Sequence, residues 1–151
     1  MGNSFPAAVA ASLLTAGLSG SAIGVCVDAL GNSGRHPTVN REVADSAAVV
    51  IAVPEKCTNL NKDVSDPNEW TTRICSVRVS SVVIGDAKAL IEVRSEYDSG
   101  SFWLDLEKTY LLFLGRNNRR YFVDNCGNSG LLAARESVLK DVASLAPAVR
   151  P

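Results

Sequence analysis

Apolar positions along the chain follow two periods. From Ala47 to Pro54 the residues Val49, Ile51 and Val53 alternate with their neighbours, which predicts a strand with those three on one face. Thr71 to Ile84 is a longer alternating run: Cys75, Val77 and Val79 point one way, Ser76, Arg78 and Ser80 the other. A turn at Gly85-Asp86 separates it from a third strand, Lys88 to Glu96, with Ala89, Ile91 and Val93 on one face. Thr109 to Gly115 is apolar through its middle and reads as a buried fourth strand. Arg116-Asn117-Asn118 predicts a tight turn, and Arg119 to Asn125 a fifth strand. The period then changes. Leu131, Ala134, Val138, Val142 and Leu145 form one stripe of a helix over 131–145, capped by Ser129 and ended by Pro147. A short helical turn is expected over 41–46, with Asn40 as its cap. Residues 27–40, 57–70 and 97–107 read as connections, rich in turn residues or, in the last, holding Tyr97, Phe102 and Trp103. A sandwich normally needs about seven strands. Five strands with a helix at the margin predict a mainly β protein: a five-stranded barrel of the oligonucleotide/oligosaccharide-binding (OB) type, in Greek-key order, with the C-terminal helix packed on it.

Charge changes this picture at the N-terminus. Residues 1–24 carry no charged side chain, and the first is Asp28. An apolar run around Leu13-Leu14 followed by small residues reads as a signal peptide, with Ala22 and Gly24 placed for a cut before Val25. No Lys or Arg precedes that run. Gly17, Ser19, Gly20 and Ser21 dilute it below a good membrane anchor. Lipid attachment at Cys26 would need a small residue before it, where Val25 stands. The expected organisation is therefore a signal over 1–24 and one domain over 25–151, in a secreted, periplasmic or cell-surface location. The composition fits such a domain, with 46% apolar and 21% charged residues in 151. The net charge of −1 argues against a nucleic-acid partner.

In an oxidising compartment four cysteines usually mean bridges, and four allow three pairings. A zinc site is disfavoured, because Cys26, Cys57, Cys75 and Cys126 are scattered with no close ligand pair. The single histidine excludes a histidine-rich metal site.

Residues 44–54 (Ala-Asp-Ser-Ala-Ala-Val-Val-Ile-Ala-Val-Pro) resemble the first barrel strand of the netrin-like modules, which include the tissue inhibitors of metalloproteinases. Val77-Arg78-Val79-Ser80-Ser81-Val82-Val83-Ile84-Gly85-Asp86 is similar to their second strand and its turn. Leu106-Glu107-Lys108-Thr109-Tyr110-Leu111-Leu112-Phe113 is similar to the entry into their fourth, and Tyr121-Phe122-Val123-Asp124-Asn125-Cys126 to their fifth, which ends in a cysteine. The resemblance covers most of 26–145 in order and spacing, as in a single-domain secreted version of bacterial type.

This resemblance implies a bridge from the N-terminal segment to the cysteine after the fifth strand, Cys26–Cys126, leaving Cys57–Cys75. The strand reading agrees with the second pair, since Cys57 follows the first strand and Cys75 lies early in the second. That bridge would add about 3 kcal/mol by loop entropy. The resemblance also implies a protein partner, a zinc metalloprotease, whose metal is chelated by the free amine and carbonyl of an N-terminal cysteine. The next side chain enters the specificity pocket. Cys26 and Val27 are the matching positions. Asp28 stands where the family has the second cysteine of its Cys-x-Cys start, and a cut before Val25 leaves an amide in place of the chelating amine. The alternative is a non-inhibitory structural or envelope-associated module in which Cys26 only anchors the N-terminus.

Other chemistry reads weakly. Gly-Asn-Ser-Gly occurs at 31–34 and 127–130, but Ser33 and Ser129 have only His36 as a base, and both copies read as turns. Asp63, Asp66 and Glu69 lack the spacing of a calcium loop. Arg116, Arg119 and Arg120 form a basic patch beside Tyr121 and Phe122, either a solvated turn or a contact for an anionic patch on a partner, glycan or envelope surface. No catalytic residue, metal or cofactor is expected, and no membrane span in the mature chain.

Overall fold

The computed structural model describes residues 37–61, 70–96 and 101–146. Its strands are β1 (Ala48–Asn61), β2 (Trp70–Gly85), β3 (Leu90–Glu96), β4 (Tyr110–Asn117), β5 (Arg120–Val123) and the short β6 (Gly130–Leu131). Helix α1 (Val39–Asp45) precedes them, and α2 (Glu136–Leu145) follows. Side chains alternate across β1 and β4 with the period of a strand, and both faces are buried. Ala48, Val50 and Ala52 join Tyr110, Leu112 and Leu114 in one cluster with Val77, Ile91 and Val93, which fills the barrel. Val49, Leu111 and Phe113 face the other way, into a second cluster with Val43 of α1 and Val142 of α2. The helical layer therefore covers the outside of the barrel at β1 and β4, and the C-terminal helix packs as its apolar stripe requires.

The strand order is β1-β2-β3-β5-β4, closed by antiparallel β1–β4 pairing from Ala48↔Leu114 to Ala52↔Tyr110. β3 meets β5 in parallel at Val93↔Tyr121. This is a closed five-stranded barrel with a C-terminal helix, of the OB-like type the strand count implies. β1 must bend to serve both neighbours, and its ladder with β2 has four register shifts. At one of them the extra residue, Ser80, donates its hydroxyl to the Ile51 carbonyl at 2.9 Å.

Several elements differ from the sequence expectation. β1 does not stop at Pro54 but runs to Asn61, so part of the connection expected over 57–70 is strand. Proline is tolerated there because a register shift lies between Pro54 and Lys56, where its missing N–H interrupts the ladder least; the Pro54 carbonyl accepts from Glu107 N–H. The first helix is capped by Thr38, whose hydroxyl accepts from Arg41 N–H, and Asn40 lies within the helix. The hairpin turn is centred on Asn118 and Arg119, between the paired Asn117 and Arg120. At the C-terminus α2 begins at Glu136. Gly130 and Leu131 instead pair with Leu111 and Tyr110 of β4, and a 3₁₀ turn over Leu132–Ala134 leads into the helix. Leu131 is therefore exposed, and Leu132 and Leu139 join Val138, Val142 and Leu145 in the buried stripe. Ser129 is not a helix cap. Its buried hydroxyl accepts from Phe113 N–H at 2.9 Å, continuing the edge of β4.

Ser129→Ala strands that N–H in a dry site. It is expected to lower the unfolding free energy in urea by about 1–3 kcal/mol. Ser137→Ala, on the exposed face of α2, is expected to change it by less than about 0.5 kcal/mol. Equal, small effects would contradict this role for Ser129.

Candidate functional site

Cys57 and Cys75 face each other directly across β1 and β2, with Cα atoms 4.1 Å apart, and are joined by a disulfide. The bridge links opposed strand residues rather than stapling a loop. Cys126, just after β5, is not a free thiol. Its expected partner Cys26, and Val27 beside it, lie outside the described residues, as do Ser33, His36, Asp63, Asp66 and Glu69.

The loop carrying Cys126 is tied to the start of the described chain. The buried Glu42 carboxylate accepts from the Asn128 backbone N–H at 2.7 Å and from its side-chain amide at 2.6 Å. The same amide donates to the Pro37 carbonyl at 2.9 Å. Gly127 leaves room here: a Cβ at that position would displace the Glu42 carboxylate from its hydrogen-bonded place. Cys126 N–H donates to Asp124 Oδ1 at 2.8 Å, which folds the loop back on itself. Residues 37–42 thus sit against 124–128 through these hydrogen bonds.

A second region lies where β3 and β5 meet. Arg116, Arg119 and Arg120 line a cleft of about 310 Å³ together with Lys88 and Arg94, with Glu92 as the one carboxylate. The Arg116 guanidinium lies 5.8 Å from the centre of the Tyr121 ring, a cation–π distance. A neighbouring cleft of about 560 Å³ shares Arg94, Arg120 and Tyr121, and opens between the end of β3 and β5. It is lined differently, by Asn117, Asn118, Ser95 and Ser101, by the carboxylates of Glu96 and Asp124, and by the rings of Phe102 and Phe122. Phe122 lies across Gly115 of β4, its paired residue, where any Cβ would displace the ring.

The hairpin tip is costly. Asn118 and Arg119 both take left-handed backbone, with φ of 46° and 68°, as a two-residue turn of type I′ demands. Asparagine tolerates that conformation, and glycine is the favoured second residue. Arginine stands there instead.

Arg94 is held by Glu96 at 2.5 Å, and Glu96 also accepts from the Thr72 hydroxyl at 2.7 Å. The hydrogen bond from Arg94, then that from Thr72, hold the Glu96 carboxyl below its ordinary pKa, with a smaller contribution from Arg120. Among the described residues, Lys88, Arg116, Arg119 and Arg120 have no carboxylate within ion-pair distance.

Sequence reading found the three hairpin arginines but not Lys88 or Arg94. Arg94 carried a signal, since it falls on the outward face of β3 opposite Ile91 and Val93. What brings it to the hairpin is the parallel β3–β5 contact. Among the described residues no three His, Cys, Asp or Glu side chains gather as a metal site, and no helix is long and apolar enough to cross a membrane. No protein-family model matches the chain, and no curated protein matches its sequence.

Two outcomes follow from this geometry. Because the Glu96 pKa is depressed, its stabilisation is complete above the ordinary carboxylate pKa and fades as pH falls through the lower folded value. The NMR titration midpoint of Glu96 is expected below the usual carboxylate range, and Arg94→Gln is expected to raise it. Arg119→Gly is expected to stabilise the fold by about 0.5–1 kcal/mol in urea unfolding, by relieving the left-handed arginine. A destabilising effect would contradict the strain argument.

Proposed function

We propose that this chain is an exported, disulfide-stabilised protein-binding module that presents its N-terminal segment to a partner at one end of the barrel. The observation that carries this reading is the Glu42–Asn128–Pro37 hydrogen-bond network, which fastens the start of the described chain to the loop holding Cys126. A Cys26–Cys126 bridge is consistent with that path, and would hold the residues before Pro37 close to the same loop. Export is supported by the uncharged, small-residue pattern of 1–24 and by the Cys57–Cys75 disulfide.

The finer form of the proposal comes from the netrin-like resemblance. A zinc metalloprotease is the partner, Cys26 chelates its metal through amine and carbonyl, and Val27 enters the specificity pocket. The barrel's part is to hold Cys26 rigid, so that binding costs little ordering entropy. In the alternative, a non-inhibitory structural or envelope-associated module, the same anchor serves only to close the N-terminus onto the barrel.

N-terminal sequencing of the exported protein, followed by titration against a panel of zinc proteases, tests this. The chelating form requires a chain starting at Cys26, one residue beyond the cut before Val25 that the signal pattern expects, and inhibition at micromolar protein that is lost when its α-amine is acetylated. A chain starting at Val25 or earlier, or one without inhibition, overturns the chelating form and leaves the non-inhibitory module.

A further inference from the structure

We propose that the paired clefts between β3 and the β4–β5 hairpin bind an acidic oligosaccharide. This site is separate from the N-terminal edge and does not depend on protease inhibition. Three observations carry it together.

The first is charge. The chain as a whole has a net charge of −1, yet the smaller cleft gathers five cationic side chains against one carboxylate. Only Arg94 of the five is neutralised by an ion pair among the described residues. Four cations left facing solvent on a weakly acidic protein repel one another, and an anionic ligand relieves that repulsion.

The second is the lining of the adjoining cleft. Amides from Asn117 and Asn118 and hydroxyls from Ser95 and Ser101 suit the hydroxyl groups of a sugar, and the exposed Phe122 ring offers a face for a pyranose to stack on. The two clefts are joined through Arg94, Arg120 and Tyr121. Together they form a track with a cationic half and an amide–aromatic half, the latter also holding Glu96, which is paired with Arg94, and Asp124, whose Oδ1 accepts from Cys126 N–H. A chain of sugar rings bearing acid groups matches both halves, whereas a lone phosphate or sulfate uses only one.

The third is the hairpin tip. Arg119 occupies a left-handed position that glycine fills at lower cost, and so places a guanidinium at the mouth of the cationic cleft. A single-stranded nucleic acid could also meet cations and aromatics. The net negative charge and the disulfide favour an extracytoplasmic glycan, and the nucleic acid is an outcome of the test.

The disulfide-intact protein is titrated at 0.15 M salt with a sulfated dodecasaccharide derived from heparin, a galacturonate oligomer of similar length, a neutral malto-oligosaccharide and a single-stranded DNA 12-mer. Either acidic glycan is expected to bind, more weakly as salt rises, and the neutral one is not. Binding of only one of the two identifies the acid group. The combined variant Lys88→Gln, Arg119→Gly and Arg120→Gln is expected to lose about tenfold or more in affinity. Phe122→Ser is expected to weaken glycan binding severalfold while leaving its salt dependence unchanged. Thermal melting of each variant confirms that it is folded. Failure of both acidic glycans to bind, DNA binding as tight as the better glycan, or full affinity in the combined variant overturns the proposal. None of these results bears on protease inhibition, so the two proposals fail separately.

Discussion

Everything else in this structure depends on β4 being buried on both faces. Its residues 111–114 alternate between the barrel interior and the helical layer, and all four are fully or almost fully buried. The N–H and C=O groups of a strand buried in this way must find partners along both of its edges. Pairing with β1 on one side and β5 on the other closes the barrel, and β6 with the Ser129 hydroxyl completes the hydrogen bonding of its early residues. The same strand gives α1 and α2 the surface they need, since neither amphipathic helix is stable alone at its length.

Closure has a consequence for chemistry. Where strands run side by side their backbones are satisfied, and there is little room for a ligand. β3 and β5 are ladder partners at a single bridge, so they diverge beyond it, and side chains from two distant stretches of sequence line the clefts on either side. The cationic and amide–aromatic halves of the clefts are products of that divergence. At the other functional region, order comes from polar groups. A buried carboxylate is costly unless its oxygens are bonded, and Glu42 is bonded by the backbone and side chain of Asn128. That requirement sets the loop around Cys126 against α1.

The residues of the hairpin tip show the limits of local rules. Asn117-Asn118 announced a turn, but the left-handed pair proved to be Asn118 and Arg119, one residue further on. A register in which Asn117 pairs with Arg120 sets Leu114 against Val123, both inward, and the apolar faces decide it over the turn preference. Ser129 illustrates the same override. Its position before a periodic apolar stretch looked like a helix cap, but the edge of β4 claimed its hydroxyl and moved the helix start to Glu136.

By itself the sequence determined the strands, the buried character of β4, the C-terminal helix and the count that implies a small barrel. These follow from hydrophobic period, which is local and strong. It also determined that three arginines share one hairpin. Tertiary structure alone decided that β1 runs through Pro54, because a register shift beside it accommodates the missing N–H and a distant N–H satisfies its carbonyl. It alone joined Lys88 and Arg94 to the hairpin arginines, and Glu42 to Asn128. Those pairings span long stretches of chain and arise from barrel closure, a constraint that no local pattern of residues records.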